Sequence, residues 1–287
     1  VLGRAAARAE RVPVIVHSIH GWGFGSHQSA AVHATFLAAE RVAARWTSHF
    51  VAVSRANLEQ GVELGLFGRE QASVIRSGID LEAFRCASGG EQVRSELGIP
   101  AGVPLVVQVS CLKPQKAPER FVALAAALAP RFPDAHFVLV GDGELRSKLE
   151  VARAAAGLEG RLHLPGWRRD VPAVLDAATV VTLTSRFEGL PRVVVEALAA
   201  RRVVVAMAVD GVREVLRDGI NGYAVAPGDE AVLAERVAEL LTDPSLRARL
   251  SAPADEGLEA WDRTLMVRQQ EELYARLLAA AGRGGRS

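Results

Sequence analysis

Thr184-Ser185-Arg186-Phe187-Glu188-Gly189-Leu190-Pro191-Arg192-Val193-Val194-Val195-Glu196-Ala197-Leu198 follows directly on the apolar run Thr179 to Leu183 and leads into an apolar segment reaching about Ala200. The run reads as a buried strand of a parallel sheet: such a strand is covered on both faces, so its residues need not alternate. Pro191 suits the first turn of a helix, where its missing N–H costs nothing. Glu188 therefore falls in the connecting loop and Glu196 about a turn and a half into the helix. Open α/β sheets bind ligands at the carboxyl ends of their strands, and the helix that follows aims free main-chain N–H groups, here those of Gly189 and Leu190, into that crevice. The plain alternative is a solvated loop carboxylate at Glu188 and the polar face of an amphipathic helix at Glu196.

Outward from this stretch, strands and helices alternate. Strands are expected at Val103–Ser110, His136–Gly141, Arg161–Leu164, Val203–Val209 and Tyr223–Val225, with helices over Pro118–Pro130, Glu144–Ala156, Asp170–Ala177, Val212–Arg217 and Glu230–Leu241. That spacing argues for a parallel sheet covered on both faces. Upstream, a shorter series offers strands at Val12–His20, His49–Val53 and Ser73–Arg76, with helices near Ser29–Arg45 and Ser54–Leu66. Two domains follow: a partial one over 1–86 and a fuller one over 103–257, joined by a linker at 87–102 with Gly89-Gly90 and Pro100. Residues 258–287 form a closing amphipathic helix. The turn Gly21-Trp22-Gly23-Phe24-Gly25 has its third glycine one residue early for a dinucleotide loop, and the next strand ends at Val53-Ser54 without the acidic residue such a loop needs.

At 287 residues the chain can bury two ordinary α/β cores. A net charge of +1 with no basic stripe argues against a nucleic-acid partner. The apolar runs are far shorter than a bilayer span, and no signal peptide stands out. Two cysteines, Cys86 and Cys111, make neither a disulfide scaffold nor a zinc knuckle, so a reducing cytoplasm is the simplest home.

The Glu-x7-Glu pair of Glu188 and Glu196, set in Glu-Gly-Leu-Pro, resembles the signature of family 4 retaining nucleotide-sugar glycosyltransferases of the GT-B fold, of the kind acting in bacterial polysaccharide biosynthesis. Three further stretches fall in the order the family shows: a strand ending in His20, the turn Ser110-Cys111-Leu112-Lys113-Pro114-Gln115-Lys116, and Gly78-Ile79-Asp80-Leu81-Glu82-Ala83-Phe84. The resemblance implies two Rossmann-like domains, the first incomplete, because roughly two βα units of the family's opening domain go unmatched. It implies transfer of a sugar from a nucleotide-diphosphate sugar to an acceptor hydroxyl with retention, the acceptor being a glycan or a lipid-linked sugar.

The same resemblance assigns roles. Glu188 would face the donor sugar, His20 would line the cleft near it, and Glu196 would bind the ribose hydroxyls. Lys116 would be the main cation for the diphosphate, and Cys111 stands where the family carries arginine, leaving Lys113 to supply charge. Gly189 and Leu190 would add N–H groups to the phosphate; Gly141, Gly143 and Gly166 are strand-end glycines with an equally plain turn reading, and Trp167 would lie near the base. No cofactor and no metal are expected, since no Asp-x-Asp pair follows a strand end. Peripheral contact with the inner membrane face is a further expectation of the resemblance. A truncated or degenerate nucleotide-sugar-binding protein without transferase activity remains the alternative, and a nucleotide-sugar epimerase a third class without a motif of its own.

Overall fold

A computed structural model describes residues 1–22, 24 and 28–284. The glycine-rich turn is thus described only in part: Gly23 and Gly25 lie outside the described residues. The chain divides into two compact units, Val1–Gly78 with Ala260–Ser287, and Ile79–Glu259.

The first unit contains α1 (Leu2–Ala9), β1 (Val16–Ile19), α2 (Ala30–Ala44), β2 (His49–Ala52), α3 (Arg55–Glu63) and β3 (Ala72–Val74). The three strands form a parallel sheet in the order β1-β2-β3. Ser29 and Ser54 start α2 and α3 by accepting the N–H groups of Val32 and Asn57, which fixes where each strand-to-helix loop ends. Strand β1 begins four residues later than the alternation at Val12 suggests. Ile19, Phe50, Ala52, Leu58 and Phe67 pack on one side of the sheet; Val51 and Ile75 pack on the other against Leu273 of the final helix.

The second unit contains α4 (Leu81–Arg85), α5 (Gly90–Glu96), β4 (Leu105–Val109), α6 (Pro118–Leu128), β5 (His136–Val140), α7 (Arg146–Ala155), β6 (Leu162–Gly166), α8 (Val171–Ala177), β7 (Val180–Leu183), α9 (Arg192–Ala199), β8 (Val203–Met207), β9 (Gly222–Val225), α10 (Glu230–Thr242) and α11 (Pro244–Ser251); α12 (Arg263–Gly284) then belongs to the first unit. Its six strands are all parallel in the order β6-β5-β4-β7-β8-β9. The strand order reverses between β4 and β7, and a doubly wound sheet opens its ligand crevice at that switch point. Strands β4, β7 and β8 are almost wholly buried, as their continuous Val and Leu runs require.

Three departures from the sequence pattern have physical causes. The segment 79–102, expected to end the first domain and form a linker, packs with the second unit, where Gly90 lies so close to α8 that a Cβ would meet Ala177 N at 2.5 Å. A short 3₁₀ turn at Asp210–Glu214 replaces the helix expected at Val212–Arg217. Helix α11 adds to the pattern read from the sequence; Asp243 caps it by accepting the N–H groups of Ser245 and Leu246, and Pro244 opens its first turn. Among the described residues no helix is long and apolar enough to cross a membrane.

Candidate active site

The switch point brings together the loops that leave β4 and β7. After β4 the chain runs through Ser110–Lys113 into a 3₁₀ turn at Pro114–Lys116, and Ala117, left-handed at φ 45°, redirects it into α6 behind Pro118. After β7 it runs through Thr184–Leu190 to Pro191, the residue before α9. Hydrogen bonds lace the two loops. Arg186 N donates to Gln115 O at 2.9 Å, Gln115 Nε2 donates to Phe187 O at 3.1 Å, and the buried Thr184 hydroxyl donates to Gln108 Oε1 and Ala117 O at 3.1 Å each.

At the centre, Lys116 Nζ donates to both carboxylate oxygens of Glu188 at 2.6 Å. The Ser185 hydroxyl donates to Glu188 Oε1 at 2.6 Å. Glu188 is only 4% exposed, so it is not the solvated loop carboxylate that its position in a turn would allow. A carboxylate so deeply placed needs its partners, because unpaired burial of a charge is strongly unfavourable. The main-chain N–H of Glu188 donates to Asp210 Oδ2 at 2.6 Å. Asp210 follows β8, takes a left-handed φ of 39°, and has its carboxyl pKa raised by burial, an effect the Glu188 N–H opposes. Burial likewise raises the pKa of Glu196 on α9, and Arg192, one turn earlier at 3.8 Å, works against the shift.

Gly189 and Leu190 are buried in the loop ahead of α9, and Lys113 is exposed at the start of the β4 turn, as is Cys111. Gly141, at φ 137°, lies where a Cβ would meet Ser110 O at 1.9 Å, and Gly143 where one would meet Leu112 O at 2.6 Å. Both glycines thus let the loop after β5 lie against the loop after β4, which Leu112 N secures by donating to Asp142 O at 2.9 Å. Gly166 accepts from Gly141 N at 2.9 Å. Trp167 is 69% exposed, with the Arg169 guanidinium 5.6 Å from its ring centroid. His20 belongs to the first unit, where its Nδ1 is 3.5 Å from Ser77 Oγ.

Sequence reading did not single out Ser185 or Asp210. Ser185 stands three residues before Glu188, and Asp210-Gly211 is an ordinary turn signal after a strand. Only the β7–β8 pairing, Val180 to Val203 through Leu183 to Ala206, reveals that Asp210 meets the Glu188 loop.

A two-domain α/β chain with its polar groups gathered at this switch point fits the GT-B class of glycosyltransferases. The sequence profile described as "Glycosyl transferases group 1" matches residues 90–256, and that described as "Glycosyltransferase Family 4" matches residues 1–83. The chain belongs to the group 1 glycosyl transferases. It is 31% identical over 233 residues to the UDP-Gal:alpha-D-GlcNAc-diphosphoundecaprenol alpha-1,3-galactosyltransferase of Escherichia coli, covering 80% of this chain and 60% of that protein. It is 35% identical over 153 residues to the alpha-D-kanosaminyltransferase of Streptomyces kanamyceticus, covering 53% of this chain and 40% of that one. The chain therefore spans less than two thirds of the length of either relative. Among solved structures, Anabaena Alr3699/HepE in complex with UDP and glucose superimposes with a TM-score of 0.85 at 26% identity, covering 96% of this chain and 75% of that one.

Proposed function

We propose that the protein transfers a sugar from a nucleotide-diphosphate sugar to an acceptor hydroxyl, with retention of anomeric configuration. The observation that carries the reading is the Lys116–Glu188 pair at the switch point of the second sheet, with Glu196 on the helix that follows. UDP in the crystal structure of a relative that superimposes over nearly the whole chain supports a nucleotide donor.

Departure of a nucleotide diphosphate builds negative charge on the leaving phosphate, and a positioned cation lowers that barrier. Lys116 supplies the cation. Without donor its charge is met by Glu188; the diphosphate replaces that partner and leaves the carboxylate, still held by Ser185, to face the sugar. Lys113 and the N–H groups of Gly189 and Leu190 add donors at the same loops. No divalent ion is needed in this scheme, so a chelator should leave turnover unchanged. The phosphate oxygen accepts the proton of the incoming hydroxyl on the face that the leaving group vacates. Glu196 accepts the ribose hydroxyls. Because burial lifts its pKa, nucleotide affinity should begin to fall at a higher pH than for an ordinary carboxylate. His20 serves the sugar end of the reaction, and the acceptor is a glycan or lipid-linked sugar, which is where contact with a membrane face would arise.

Incubation with a panel of UDP-sugars and a lipid-linked or free glycan acceptor tests the reading. The expected product carries the donor's anomeric configuration by NMR, and His20→Ala slows its formation. Donor binding with neither transfer nor hydrolysis would instead favour the binding-protein alternative.

A further inference from the structure

A cavity of about 870 Å³ in the second unit lies at the opposite end of the sheet, where the chain enters β4, β7 and β8 at Val103, Thr179 and Val203. Four arginines line it, Arg94, Arg201, Arg202 and Arg247, against two carboxylates, Glu91 and Asp176.

Their partners leave positive charge uncompensated. Asp176 is fully engaged, with one oxygen accepting from Arg202 at 2.7 Å and the other from Gly90 N at 2.9 Å. Arg94 is held by main-chain carbonyls, donating to Val103 O at 2.9 Å and Ala177 O at 2.7 Å. Arg247 similarly donates to the carbonyls of Leu240 and Leu241. Among the described residues, neither Arg247 nor Arg201 has a carboxylate at ion-pair distance, and Arg202 Nε is buried without a hydrogen-bond partner. Burial lowers the Arg94 pKa; the Glu91 carboxylate works against that shift, and the charge of Arg202 adds to it.

Arg201 adds an independent observation. It follows Ala200, the C-cap of α9, and takes φ 53°; its N–H donates to Leu198 O and that of Arg202 to Ala197 O. This is the double hydrogen bond of a helix end whose left-handed residue is ordinarily glycine. An arginine there carries backbone strain that glycine would not.

We propose that this cavity binds a small molecule bearing multiply charged phosphate-type oxyanions, gripped by Arg201 and Arg247 with Arg94 and Arg202 behind them. Guanidinium groups pre-positioned by carbonyls keep N–H donors free for such a ligand at little cost in ordering. The site is separate from the donor site and does not depend on the reading of that site.

Calorimetric titration of the full chain with inorganic pyrophosphate, with and without saturating UDP, tests this. The expected result is a binding event that persists when saturating UDP occupies the donor site, and that weakens at least tenfold in Arg201→Gly/Arg247→Ala. Arg201→Gly alone should also raise the thermal midpoint while weakening pyrophosphate binding, because it relieves the left-handed strain; a merely structural arginine would lose stability instead. Pyrophosphate binding that the double variant retains, that saturating UDP abolishes, or that does not occur at all, overturns the proposal, as does a fall in the Arg201→Gly midpoint.

Discussion

At the carboxyl end of the six-stranded sheet the cation Lys116 faces the carboxylate Glu188, whereas at the amino end Arg94 and Arg247 face main-chain carbonyls. At the first end the charges compensate each other inside the protein, so a ligand must compete for them. At the second end Asp176 pairs with Arg202, while Arg94 and Arg247 are held in place by carbonyls that carry no charge, so a ligand adds to what is there. Pairing also sets the cost of mutation: removing one member of a buried pair strands the other, while removing a carbonyl-bound arginine strands only a weaker acceptor.

The largest effect should come from breaking the pair. Lys116→Ala leaves Glu188 buried with Ser185 as its remaining side-chain donor, and should destabilise the second unit by about 3–5 kcal/mol while lowering donor turnover at least ~100-fold. Chemical denaturation and a turnover assay on the same variant check both. Lys116→Ala/Glu188→Ala should recover much of the stability and none of the turnover; a double variant as unstable as the single one would mean that the pair does not couple.

Next comes the packing that seats the β4 loop. Gly141→Ala puts a methyl group on the Ser110 carbonyl and demands a left-handed φ, so it should cost at least about 2 kcal/mol by denaturant midpoint. A neutral result would show that the two loops are not seated as tightly as their backbone distances require.

A smaller effect is expected from pH. His136 on β5 and His163 on β6 stack with ring centroids 5.3 Å apart, and burial, with nearby arginines, holds both pKa values below 6.5. The unfolded chain then binds more protons than the folded one as pH falls through about 6.5, so stability is full above that value and lost below it. Amide hydrogen exchange at β5 and β6 should speed up at pH 5 relative to pH 7.5, and His136→Phe should flatten the difference.

Much of this second unit could be read directly from the residues. Valine-rich runs alternating with helical segments specified the parallel strands, and Glu188 and Lys116 could be placed at strand ends from spacing alone. Their direct contact could not, because it depends on β4 and β7 being neighbours across the switch point although 72 residues separate the two side chains. Asp210 was hidden for the same reason. The strand-end glycines were legible as turns, but their role in letting Ser110 and Leu112 approach needed the β4–β5 neighbourhood. Helices α4 and α5 were placed outside the second domain because nothing local in their sequence reports that Gly90 packs on α8.

The most direct test of the central claim separates the two glutamates. UDP affinity and donor turnover are to be measured for Glu188→Ala and Glu196→Ala side by side. A site in which Glu196 holds ribose and Glu188 serves the sugar should lose about tenfold in UDP affinity in Glu196→Ala, the scale of one hydrogen bond to a charged group. It should keep UDP affinity in Glu188→Ala, with turnover there at least ~100-fold lower. Unchanged UDP affinity in Glu196→Ala, or turnover that survives in Glu188→Ala, would contradict it.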